Sequence, residues 1–198
     1  MSNLYTAADY KYKIINLLLK NKNFIKLISP EESECPELDI VDVLLGGKWY
    51  INGEWYTEQG YIFDHDFVDD TIKEKKTFLF VDVDIPSVQK GMFMDFNLYV
   101  FVFTDKNLVR LNQWSSPTAR EVKDMGYFAT DTFGNRIDAL CDCIDGILNG
   151  NENLYGLGDV EPNPRNHLST YRPNNQYYGK CLSYYITNYN AGGDQCGI

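Results

Sequence analysis

The sequence is short of positive charge, short of histidine and without long apolar runs, and each shortage closes a class of function. Eighteen Lys and Arg stand against twenty-eight Asp and Glu, a formal charge of −10. Affinity for duplex nucleic acid comes mainly from cations on phosphates, so this balance argues against a DNA-binding surface. The only basic cluster, Lys73, Lys75 and Lys76 around Glu74, is too short to form a groove. The longest apolar stretches fall far below membrane-spanning length. The start, Met1-Ser-Asn-Leu-Tyr, lacks the basic and then apolar pattern of a secretory signal, and the expectation is a soluble, intracellular protein.

Cysteine is also sparse. Five residues, Cys35, Cys141, Cys143, Cys181 and Cys196, show no disulfide or metal spacing. Cys141 and Cys143 fall within an expected helix, where positions two apart point about 200° from each other and cannot chelate one ion. A reduced, cytosolic chain with incidental cysteines follows.

Catalytic signatures are missing as well. Asp82, Asp84 and Asp64-His65-Asp66 suggest a carboxylate site for Mg²⁺, as in a nuclease. The following strand-like run offers no Glu or Lys to complete it. His65 and His167, the two histidines, sit among polar residues and read as surface or structural groups. Gly156-Leu-Gly158 precedes no Lys-Ser or Lys-Thr helix and is not a phosphate loop. Ser115-Ser116 lacks a nucleophile-elbow context. No catalytic residue, cofactor or metal is expected.

What is present is hydrophobic patterning suited to one compact domain over 1–198. The chain is 44% hydrophobic and 15% aromatic, with fifteen Tyr and three Trp. Thr77–Ile85 and Asp95–Thr104 are strand-like runs separated by Pro86, Ser87, Lys90 and Gly91. Asn135–Asn149 is an amphipathic helix. It places Ile137, Leu140, Cys141, Ile144, Ile147 and Leu148 on one face, and Arg136, Asp138, Asp142, Asp145 and Cys143 away from it. Thr130-Asp131-Thr132 is expected to cap it, and Asn149-Gly150 to end it.

An N-terminal helix is expected over Ala7–Ile28, stopped by Ser29-Pro30. Leu38–Leu45 fits either a strand or a helical turn. Lys48–Thr57 reads as a hairpin around Asn52-Gly53, a pair that supplies the positive φ angles of a tight turn. Trp49, Tyr50, Trp55 and Tyr56 make it strongly aromatic, so it either folds back on the core or docks on a neighbouring subunit. A short helix opens at Ser116-Pro117 and ends near Gly126. After the main helix two or three strands are expected: a Pro/Asn-rich connector through Pro173 leads to the last of them, Tyr177–Asn188, and 190–198 reads as a flexible tail. The fold class is α+β: a small, mostly antiparallel sheet packed against an amphipathic helix and an N-terminal helix, with an inserted aromatic β-hairpin region at 46–68.

Several segments together resemble the tail-terminator and tail-completion proteins of tailed bacteriophages. They are Phe78–Pro86, ending Val-Asp-Val-Asp-Ile-Pro, then Asp95–Thr104, Asn135–Gly150 and Tyr177–Ile186. The abundance of Asn, Lys and Tyr is also similar to neck proteins of the crAss-like gut phages. The resemblance implies a non-enzymatic virion protein forming a six- or twelve-membered ring at the head–tail junction. Such a ring joins portal or connector to tail and leaves a channel for genome passage and ejection. Assembly would occur in the host cytoplasm.

The residues are compatible with that. A ring repeats one heterologous interface, so each subunit needs two different adhesive surfaces. Trp49, Tyr50, Trp55 and Tyr56 are candidates for one of them. Acidic side chains facing the lumen would repel DNA over about 8–10 Å, with Asp64, Asp66, Asp69 and Asp70 or Glu31, Glu32 and Glu34 as candidates. The rival expectations are a non-catalytic cytosolic adaptor or protein-binding module and, behind it, a Mg²⁺-dependent nuclease.

Overall fold

The computed structural model describes residues 3–28, 38–65, 75–88, 94–112, 133–149 and 158–188. Its order begins α1 (Asn3–Leu19), α2 (Lys22–Ile28), α3 (Ile40–Leu45), β1 (Gly47–Ile51), β2 (Glu54–Glu58) and β3 (Ile62–Phe63). It continues β4 (Thr77–Val88), β5 (Met94–Asp105), β6 (Arg110–Asn112), β7 (Phe133–Asn135), α4 (Arg136–Leu148), β8 (Asp159–Pro162), β9 (Leu168–Tyr171) and β10 (Tyr177–Asn188). This is the α+β architecture expected from the sequence, with the main sheet antiparallel except at one edge.

That sheet runs β3-β4-β5-β10-β8. β4, β5 and β10 are twelve residues each and form its centre. β9 and β8 share the outer edge of β10, at Gly179–Leu182 and Tyr184–Thr187 respectively. β3 pairs parallel with β4 through Ile62↔Leu79 and Phe63↔Phe80. The β4–β5 register shifts between Asp84 and Ser87, at Pro86. Proline has no N–H to donate, so a ladder irregularity there is the expected result.

Alternation along the strands separates two kinds of core. Leu79, Val81, Val83, Phe96, Leu98, Val100, Val102, Leu182, Tyr184 and Ile186 are buried in one cluster with α1, α2, α3 and α4. The intervening positions place Phe78, Phe80, Phe103 and Tyr177 in a second cluster, with Phe63, Phe101 and Tyr171 against it. The helical side is mainly aliphatic and the other is aromatic. Phe78 and Phe103 stack at 5.2 Å between centroids, and Phe80 lies 4.9 Å from Phe103.

The helices correct the sequence reading in two places and settle it in a third. The expected single N-terminal helix is two, because the Asn21 side chain accepts from the backbone N–H groups of Asn23 and Phe24. An N-cap there ends α1 and starts α2 in a new direction. Leu38–Leu45, open between strand and helical turn, resolves as helical over Ile40–Leu45, and its cap Asp39 accepts from Val41 N at 2.8 Å. The main helix is capped by Asn135, which accepts from Ile137 N and Asp138 N. The proposed cap at 130–132 lies outside the described residues, as do the helix at 116–126, the acidic loop at 30–36 and the tail.

Burial on α4 is wider than a single stripe. Arg136 and Cys143, read from the sequence as facing away from the core, are 4% and 3% exposed. α2 packs against α4 beside the sheet, so a second face of the helix is covered. The connector after Gly158 also holds two strands, β8 and β9. Among the described residues both pair with β10, β9 as a hairpin across 172–176 and β8 across a longer loop.

Candidate interface

The hairpin forms as its sequence requires. Asn52 and Gly53 take φ of 51° and 93°, the left-handed pair of a tight two-residue turn. β1 and β2 make their own two-stranded sheet, hydrogen-bonded to no strand of the main sheet among the described residues. Its base is closed by two glycines. Gly46 and Gly60 have φ of 74° and 80°, and a Cβ on Gly46 would lie 2.6 Å from the backbone nitrogen of Gly60. No side chain fits that crossing.

The main chain rejoins the core at once. Tyr61 N donates to Leu44 O at 2.7 Å, and Leu79 N to Tyr61 O at 2.8 Å. Tyr61 and Ile62 are buried. The excursion therefore runs between Gly46 and Gly60. Within the region read as an insertion (46–68), Ile62 and Phe63 pair with β4 as β3.

Register divides the four aromatic residues between two faces. Tyr50 pairs with Trp55 and Trp49 with Tyr56. Tyr50 and Trp55 are 63% and 71% exposed, with ring centroids 5.3 Å apart. Trp49 and Tyr56 are half-buried. A two-stranded hairpin is marginal in water, and large aromatics in contact on its solvent side are the composition of an interface centre. The sequence anticipates the aromatic hairpin; which pair faces solvent needs the structure.

The acidic candidates are only partly visible. Asp64 follows β3, and the hydrogen bond from His65 outweighs partial burial. Together with one from Tyr12 it holds the Asp64 carboxyl below the usual carboxylate range. Asp66, Asp69, Asp70, Glu31, Glu32 and Glu34 lie outside the described residues. Lys11 of α1 reaches the Asp64 backbone oxygen at 3.0 Å and the Asp82 carboxylate at 2.6 Å. Asp82 is thus ion-paired to a lysine. Among the described residues no group of three or more His, Cys, Asp and Glu is placed to hold a metal ion.

A cluster missed in the sequence joins α4 to β10. Asp145 accepts from Tyr184 Oη and lies against His167 Nε2, both at 2.9 Å. His167 Nδ1 lies 3.0 Å from the Ser183 carbonyl oxygen. Tyr184 is fully buried, and burial first, then the Asp145 carboxylate, pushes its phenol far above the ordinary value. The groove beside this cluster, about 300 Å³, is also lined by Asp138, Cys141, Asp142 and Lys180. Burial pushes the Cys141 thiol up to about 12, which keeps it protonated at neutral pH. In this geometry His167 bridges the Asp145 carboxylate of α4 and the Ser183 carbonyl of β10. Its partners stand 22 and 16 residues away, a spacing without a local signal.

No curated protein and no solved structure matches the chain. A family model described as YomW matches residues 13–186, from α1 through the hairpin and the whole main sheet into β10. The chain therefore belongs to the YomW family, whose phage-derived name marks a phage-associated protein without giving it a neck or tail role.

Proposed function

We propose that this chain is a non-enzymatic structural subunit of a phage particle. It assembles as a six- or twelve-membered ring at the head–tail junction, between portal or connector and tail, around a channel for the genome. The observation that carries the reading is the hairpin, a separate sheet presenting Tyr50 and Trp55 to solvent at 63% and 71% exposure. Its surface is adhesive while its base is fixed, the properties of an arm that reaches a neighbouring copy. Membership in a phage-derived family and the earlier resemblance to tail-completion proteins support the same reading. The charge of −10 suits a wall that DNA must pass without sticking.

Light scattering on the purified chain, alone and with the phage's connector, tests assembly. Rings with the wild type and smaller species with Tyr50→Ser plus Trp55→Ser are expected. Cryo-electron microscopy of the virion tests location. A particle lacking this polypeptide would overturn the proposal, and so would rings unaffected by the double substitution.

A further inference from the structure

The chain carries ten more negative than positive charges, yet one cavity reverses that sign. A pocket of about 450 Å³ lies where the turn after β5, the start of β6, the N-terminus of α4 and the β9–β10 connection meet. Lys106, Arg110 and Arg172 line it with Asn107, Asn135 and Tyr178, and no carboxylate is among its described lining residues. Arg110 and Arg172 are exposed, and neither guanidinium makes a hydrogen bond or ion pair to a described residue. Lys106 Nζ donates to the Asn175 carbonyl oxygen, which leaves two of its three protons for another acceptor.

Charges behind the wall favour the same sign. Arg136 Nε donates to Leu108 O at 3.3 Å, close behind the turn. The positive end of α4 faces the same region through its cap, Asn135. Asp105 anchors the turn but is 2% exposed, with its oxygens taken by Asn107 and Gln176. Like charges gathered around one cavity repel each other, and an anion converts that repulsion into attraction.

We propose that this pocket binds a phosphate-bearing anion of diphosphate to mononucleotide size. Guanidinium groups match phosphate oxygens with paired donors, and the two Asn side chains add neutral ones. The volume lies within the range of small-ligand sites. Half-buried Tyr178 gives the cavity an apolar wall against which a sugar or base can rest. The site uses none of the hairpin residues and stands independently of the ring reading.

The test is calorimetric titration of the full chain with inorganic pyrophosphate, thymidine monophosphate, a short single-stranded oligonucleotide and poly-glutamate. Proteins compared are the wild type, Arg110→Gln, Arg172→Gln and, as a charge-matched control on the hairpin, Lys48→Gln. Expected is saturable binding of a phosphate probe at one per chain, weakened roughly tenfold or more by either arginine change and unchanged by Lys48→Gln. An oligonucleotide that competes with pyrophosphate assigns the phosphate to a nucleic-acid backbone; small anions binding alone assign it to a free phosphate compound. The proposal is overturned if no phosphate probe binds at millimolar concentration, if Lys48→Gln weakens binding as much as the arginine changes, or if poly-glutamate binds and phosphate does not.

Discussion

Arg136, the first residue of α4, donates from Nη1 to the backbone oxygen of Leu27 at 2.9 Å, across 109 positions of sequence. Leu27 lies in the last turn of α2, where carbonyls have no partner within the helix and the dipole is negative. The same guanidinium reaches Leu108 O, so one side chain fastens α2, α4 and the turn after β5. That explains why a charged residue is 4% exposed on an otherwise apolar face.

Replacing Arg136 with Met keeps much of the bulk and removes the donors. Each carbonyl left without one costs about 1–3 kcal/mol. Urea unfolding should show a lower midpoint in Arg136→Met with little change in slope. Arg136→Lys should recover only part, because an ammonium cannot reproduce the planar fork.

The hairpin substitutions should separate stability from assembly. Tyr50→Ser or Trp55→Ser removes one member of an exposed cross-strand pair, worth roughly 0.2–1 kcal/mol. The thermal midpoint of the monomer should barely move while ring formation fails. A large drop in the midpoint would mean that the pair belongs to the core of the chain itself.

Gly179 is tightly enclosed. An added Cβ would sit 2.2 Å from Val102 O and 2.4 Å from Phe103 Cβ, at the β5–β10 crossing. Gly179→Ala must push the two central strands apart, a cost of about 1–3 kcal/mol. Gly146, with open space around it, is the comparison. Gly146→Ala in α4 should be neutral or stabilising by up to roughly 1 kcal/mol, read in the same unfolding experiment.

Alkaline pH should destabilise the protein through Cys141. Its thiol is pushed by burial from 9.0 up to about 12. Above about pH 9 the unfolded chain releases this proton while the folded one keeps it, so stability falls as pH rises between those two values. The slope approaches about 1.4 kcal/mol per pH unit for the single group. Cys141→Ala should flatten it, measured as the urea midpoint against pH.

Much of the scaffold is written locally. β-branched and aromatic alternation along β4, β5 and β10 and the apolar stripe of α4 are visible to anyone reading in steps of two or of three and four. Asn52-Gly53 dictates its turn by backbone sterics. The cap at Asn21, by contrast, is overshadowed by an apolar pattern that continues through it. β3 and β8 are too short to show a period and form against the edge of a longer strand that is distant in sequence.

The candidate surfaces divide in the same way. Trp49, Tyr50, Trp55 and Tyr56 announce an aromatic arm from their order in the chain. The Asp145–His167–Tyr184 tie and the pocket of Lys106, Arg110 and Arg172 join residues from separate elements and have no linear signature.

By itself the chain of residues determined the α+β class, the hairpin and the acidic character, because these follow from side-chain periodicity, turn sterics and charge count. Only the tertiary structure decided that α4 is covered on a second face, which aromatic pair meets water and where the cations collect. Those outcomes depend on which distant segments fill the space around each residue, and packing, not local preference, sets them.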